Sequence, residues 1–119
     1  MSPSGTITRV AGTGTAGNSG DDGPATDAQL DGPIGIAVTA DGGFLVADAT
    51  NEVVRRVSAD GTITRVAGTG TAGDSGDDGS ATDAQLSAPV WVAVASDGSF
   101  VITDAGNHEV REVAATQPG

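Results

Sequence analysis

The sequence predicts an all-β chain built from two copies of one four-stranded antiparallel meander. Three observations predict it. The segment Gly5–Leu30 recurs at Gly61–Leu86, an offset of 56 residues, and only Asn18/Asp74 and Pro24/Ser80 differ between the copies. A fixed period of this size marks a repeat architecture. The composition, with 19 glycines, few aromatic residues and abundant Thr and Val, suits short strands joined by tight turns. Each copy is then followed by the same succession of β-branched runs and Asp-Gly or Asn turn signals.

Met1–Ser4 is a short polar lead, and Thr6–Val10 (TITRV) reads as a strand of β-branched residues. Ala11–Gly23 is rich in Gly and Asp, has no periodicity and reads as a loop. Pro24–Leu30 reads as a helix of one to two turns, with Pro24 at its first position, where the missing N–H costs nothing. In the second copy (Ala81–Leu86) the Ser80 hydroxyl takes that place as a cap. Strands follow at Ile34–Thr39, Phe44–Ala47, Val53–Val57 and Thr62–Val66, separated by turns at Asp41-Gly42, Asp48–Asn51 and Asp60-Gly61. The second pass gives strands Val90–Ala95, Phe100–Thr103 and Glu109–Val113, with turns at Asp97-Gly98 and Asp104–Asn107. Residues 116–119 form a tail without signal.

Alternation in these strands is imperfect. Val54 and Val57 are three apart and point to opposite faces, as do Val110 and Val113. Both faces of each sheet are therefore apolar, as expected when sheets stack face to face like the blades of a β-propeller.

Sixteen acidic residues stand against five arginines, with no lysine, for a net charge of −11. That balance excludes a nucleic-acid backbone or an anionic membrane surface as partner, since both need clustered cations. Without cysteine there is no disulfide framework, thiolate nucleophile or zinc–thiolate site. No apolar run approaches the ~20 residues of a membrane span, and the first residues lack the apolar core of a signal peptide.

The stretch PIGIAVTADGGFLVADATNEVVRRVSADGTITRVAG resembles an NHL repeat, a β-propeller blade. Pro33, Gly35, Ile36, Ala37, Val38, Asp41, Gly42, Asp48, Asn51, Arg55 and Val57 fall on its motif. So do Pro89, Val92, Ala93, Val94, Asp97, Gly98, Asp104, Asn107, His108, Arg111 and Val113. Trp91 in place of glycine, Glu52 in place of histidine and Glu109 in place of a basic residue depart from it. The resemblance implies that strands run from the ring axis outward and that the TITRV type is outermost. The chain then reads as an outer strand (residues 5–12), a first blade with loop and short helix (13–68), and a second blade lacking its outer strand (69–115). A propeller needs ~4–8 blades to close. The first strand of one chain is therefore expected to complete the last blade of another, head to tail. The closing residues are Ile7, Arg9 and Val10 on the incoming strand and Val110, Arg111 and Val113 on the receiving one. A trimer would give six blades and a tetramer eight; six-bladed relatives favour the trimer.

Candidate chemistry is sparse. The acidic loops Asn18–Gly23 and Asp74–Gly79 invite a calcium reading through Asp74, Asp77 and Asp78, but a glycine stands at the third position of the EF-hand pattern. Loop-turn roles explain these residues better. His108, the only histidine, falls at the motif's Asn-His turn and reads as structural. Trp91 begins an inner strand, where it lines the central channel or fills a gap between blades; with His108 it is the candidate ligand contact. The arginines are expected to pair with carboxylates on blade surfaces. The TGTAG stretches lack the GK[ST] of a phosphate-binding loop. The reading is a non-enzymatic self-assembling module that needs no cofactor and has itself as partner. The alternative is a propeller fragment presenting a face or channel to a protein, peptide or glycan. A metal-dependent lyase or hydrolase, known among proteins of this fold, is disfavoured by the single histidine.

Overall fold

A computed structural model describes residues 5–114. The lead Met1–Ser4, residue 115 and the tail at 116–119 lie outside the described residues. The first sheet comprises β1 (Pro33–Val38), β2 (Phe44–Asp48), β3 (Val53–Val57) and β4 (Ile63–Ala67), ordered β1-β2-β3-β4. The second comprises β5 (Pro89–Val94), β6 (Phe100–Asp104) and β7 (Glu109–Val113), ordered β5-β6-β7. Every neighbouring pair is antiparallel, so each sheet is a meander.

The turns carry the chemistry that their residues imply. Between β1 and β2, Asp41 accepts the Gly43 N–H at 3.1 Å and the Thr39 hydroxyl, while Gly42 takes a left-handed φ of 94°. Asp60 accepts from Thr62 and Ser58, and Asp97 from the Ser99 N–H and hydroxyl, in the same manner. These hydroxyl donors hold all three carboxyls below the usual range. The Asp48–Asn51 and Asp104–Asn107 turns each contain one turn of 3-10 helix, closed by Glu52 or His108 in the left-handed region.

Val54 and Val57 do face opposite ways. Val54 joins Leu45 and Ala67 from the first sheet, and Leu86, Val92, Phe100 and Ile102 from the second blade, in the core between the sheets. Val57 joins Ile63, Ala25 and Ala28 in a smaller core under the loop.

Two elements differ from expectation. Of the expected helices Pro24–Leu30 and Ala81–Leu86, only Ala25–Asp27 and Ala81–Asp83 are helical, as single 3-10 turns, and Ala28 and Ala84 are already extended. The backbone beyond is drawn into cross-loop bonds: the Gln29 N–H goes to Ser19 O (2.9 Å) and the Gly17 N–H to Leu30 O (3.3 Å). Those bonds compete with helix continuation and win. Pro24 stands before the turn, with an extended ψ of 132°, and Ser80 makes no side-chain cap bond. Thr6–Val10 joins neither sheet of this chain, and Ile7 is 97% exposed.

Leu45 is the largest aliphatic side chain that the first sheet contributes to the core between the blades. Leu45→Ala should lower stability by about 2–5 kcal/mol in urea unfolding, because the cavity is walled by two separate sheets and collapses poorly.

Candidate functional site

The site is built from an arginine fork that recurs in each blade, the joint between the two blades, and an outer strand that is flanked in the first blade and missing from the second. Arg55 projects from β3 with no exposed side-chain surface. Its Nε donates to Asp21 Oδ1 at 3.1 Å, one terminal nitrogen to Gln29 O and to Asp48 Oδ2 (3.3 Å), and the other to Ser19 O at 3.2 Å. Asp48 is itself buried and also accepts the Asn51 amide and the Asp31 N–H. Arg111 repeats the arrangement with Asp77, Gln85 O, Asp104 and Ser75 O.

The expectation of surface ion pairs therefore holds for Arg56, which pairs with Asp41, and fails for Arg55 and Arg111. Arg9 and Arg65 also depart from it. They donate to backbone carbonyls, Arg9 to Gly12 and Arg65 to Gly68 and Thr82. A signal was present in the sequence: Asp48 and Arg55 share their spacing with Asp104 and Arg111.

At the joint, Glu52 of the first blade accepts the Ala88 N–H of the second through both oxygens, at 3.2 and 3.3 Å. The chain crosses from β4 to the second blade through Gly68, whose N–H bonds Ala81 O at 3.0 Å. Gly12 makes the same bond to Ala25 O, also at 3.0 Å. Gly5–Val10 therefore leaves the first blade as β4 leaves the second.

β4 is flanked on both edges. β3 lies along one edge, with Val57 opposite Ile63 and Arg55 opposite Arg65. Along the other, the Asp22 N–H bonds Ile63 O (2.6 Å), the Ile63 N–H bonds Gly23 O (3.0 Å) and the Ala25 N–H bonds Gly61 O (2.7 Å). In the second blade, β7 and the Asp78–Ala81 loop are the counterparts of those flanks. Between them lies an open slot of about 530 Å³, lined by Ala81, Ala84, Leu86, Ile102, Arg111 and Val113. Val110, the counterpart of buried Val54, is 71% exposed.

Of the remaining sequence candidates, only Asp77 and Asp78 line this slot. Asp77 is committed to Arg111 at 2.8 Å, and Asp78 sits in the left-handed region beside the slot. Asp74 does not gather with them. Its carboxylate lies with those of Glu109 and Asp104, all within 4.8 Å of one another. A hydrogen bond donated to the Asp74 carboxylate, desolvation and the negative charge of Asp74 raise the Glu109 carboxyl above its usual range. The first blade has Asn18, Val53 and Asp48 in those places, so this cluster is peculiar to the second. His108 holds the left-handed turn that Glu52 holds in the first blade. Trp91 is half-exposed and lies against Gly35 of the first blade.

Comparison with known proteins matches residues 52–114 to the Teneurin NHL domain model. The chain belongs to the teneurin NHL domain family. Human and mouse Teneurin-4 are each 32% identical over 107 residues, covering 79% of this chain and 4% of the relative. A structural genomics protein of unknown function from Bacteroides thetaiotaomicron superposes with a TM-score of 0.79 at 25% identity, over 94% of this chain and 28% of that one. An auxiliary nutrient binding protein from Bacteroides ovatus gives 0.64 at 24%, over 85% and 27%. The chain thus spans about a quarter of those structures and a small fraction of the teneurins.

Arg55→Ala should cost about 3–5 kcal/mol in thermal or urea unfolding, since it strands a buried carboxylate. Lysine should not rescue it, because one ammonium cannot reproduce the planar fork. Glu109→Gln should melt higher than the parent chain at pH 7. A carboxyl raised on folding contributes stability below its unfolded pKa and loses it as pH rises through the folded one. The melting difference should therefore vanish as the pH falls below the ordinary glutamate range.

Proposed function

We propose that this NHL-type pair of blades is a non-enzymatic assembly module, in which Gly5–Val10 of one copy fills the slot beside β7 of the next. One observation carries the reading. Ile63 is fully buried in a setting made by Val57, Ala25 and Ala28, and the slot repeats that setting with Val113, Ala81 and Ala84. Ile7 is the counterpart of Ile63 in an identical strand. Transposing the β3–β4 register sets Val113 opposite Ile7, Glu112 opposite Thr8, Arg111 opposite Arg9 and Val110 opposite Ala11. Val10 then takes the place of Val66, which packs against the core between the blades. Arg111 contributes its backbone to this pairing, because its side chain is spent within its own blade.

The sheet faces support the same pairing. Val101 and Val110 are exposed on the far side of the second blade, and Ile36 on the near side of the first. Their counterparts Leu45, Val54 and Val92 are buried together within the chain. Burying each such side chain is worth about 1.5–3 kcal/mol. Head-to-tail repetition of one joint closes a ring, as a six-bladed trimer or, next, an eight-bladed tetramer.

Light scattering on a size-exclusion column tests this. A mass of three or four copies is expected for the parent chain. Ile7→Asp should give a folded monomer with an unchanged far-ultraviolet circular dichroism spectrum. A parent chain that stays monomeric at high concentration, or an Ile7→Asp chain that still assembles, would overturn the reading. Val110→Ala should weaken the assembly while leaving the unfolding of the Ile7→Asp monomer within about 0.5 kcal/mol, as expected for an exposed position.

A further inference from the structure

The joint between copies cannot reproduce the joint within a chain at the inner strands. Within the chain, β1 approaches β5 so closely at Gly35 that a Cβ there would stand 2.5 Å from Val90 O and 2.7 Å from Trp91 Cα. Real Cβ contacts do not reach those distances. Both obstructing atoms are backbone, so no side-chain rotation relieves the clash. Only the absence of a Cβ lets the two inner strands come together.

Position 91 is the counterpart of position 35 in the second blade, and it carries tryptophan. The pairings Pro33↔Asp48 and Ile36↔Val46 recur as Pro89↔Asp104 and Val92↔Ile102, so the two residues occupy the same place in their sheets. In a joint between copies, Ile34 and Gly35 of the next copy take the places of Val90 and Trp91. The Trp91 Cβ would then press on that copy's Ile34 carbonyl and Gly35 Cα.

We infer that Trp91 is a spacer. It holds the inner strands of adjoining copies farther apart than those within a chain and places one indole per copy at the ring axis. This inference rests on the self-assembly reading. It adds that the joints alternate around the ring, tight within chains and wide between them. Farther from the axis the outer strands still meet, through Ile7 in its slot and Val110 against the next sheet. The joint between copies is therefore the weaker one, and the Cβ at position 91 limits it.

Two substitutions isolate that Cβ. Trp91→Gly removes both the indole and the Cβ; Trp91→Ala removes the indole alone. The assembly midpoint of each is read by light scattering across a dilution series, with circular dichroism confirming the fold. Trp91→Gly should assemble at about tenfold lower concentration than Trp91→Ala, although glycine is the more flexible residue. Equal or weaker assembly of Trp91→Gly would overturn the spacer and leave the self-assembly reading intact. A parent chain that is monomeric throughout would overturn the self-assembly reading itself. Trp91 is the only tryptophan and the chain has no tyrosine, so emission of the parent chain reports this site alone. Its maximum should shift to the blue on assembly. Emission that is unchanged across the mass transition would also overturn the placement of Trp91 at the joint.

Discussion

A sheet with two apolar faces cannot bury either of them alone, and the rest of this structure follows from that constraint. The strands are short and their side chains small, so no face folds back on itself. Burial comes instead from laying one meander against the next. Leu45 and Val54 meet Val92, Phe100 and Ile102 across the joint, with Ala67 and Leu86 closing the layer. Apolar burial of this kind is non-directional and fixes neither register nor angle. Those are set by polar contacts at the rim, such as the Glu52 carboxylate on the Ala88 N–H and the Gly68 N–H on Ala81 O.

The buried arginine fork solves a second problem, how to hold a long loop of Gly, Ser and Asp in one shape. Burying a guanidinium is costly, and replacing such a pair by apolar residues is often neutral or stabilising. Its value here is positional. Arg55 reaches Ser19 and Asp21 on one arm of the loop, Gln29 on the other and Asp48 at the strand end. With both arms pinned, the Asp22–Ala25 backbone lies where it can bond β4. The same fork at Arg111 ties Ser75 and Asp77 on one arm of the second loop to Gln85 on the other, beside β7. An acidic loop that looks like a cation site is thus a guanidinium site, with Asp21 and Asp77 as its outer carboxylates.

Strand positions were legible because turn chemistry is local. Asp-Gly and Asn signals placed each strand of the two sheets within a residue of its observed bounds, and the faces of Val54 and Val57 followed from their spacing; the strand read at Thr6–Val10 pairs with neither sheet. The fork was not legible in the same way. Arg55 and Arg56 are adjacent in VVRRV, yet one is wholly buried and the other half-exposed. What separates them is a pair of carbonyls 26 and 36 residues away, which no local pattern shows. The short helix failed for the same reason, since bonds from Gln29 and Gly17 across the loop decide where it stops. Trp91 stood out as a departure from the glycine of its motif. Its consequence needs the distance between two backbones.

The two copies are not equally alike throughout, and their differences are unevenly distributed. Identity is concentrated in Gly5–Leu30 and Gly61–Leu86, the outer strand and the loop that flanks it. A strand offered to a slot must match the slot, and Gly5–Val10 is interchangeable with Gly61–Val66 residue for residue. The strand therefore cannot tell one slot from another. Divergence follows in the turns, as at Asp31 against Ser87, Thr39 against Ala95 and Thr50 against Gly106, and in the blades, as at Gly35 against Trp91, Leu45 against Val101 and Glu52 against His108. Gly35, Leu45 and Glu52 border the joint within the chain, where a change of volume or charge alters which faces fit together. On the self-assembly reading, the shared strand supplies the affinity common to every joint. The diverged faces then distinguish the joint within a chain from the joint between chains.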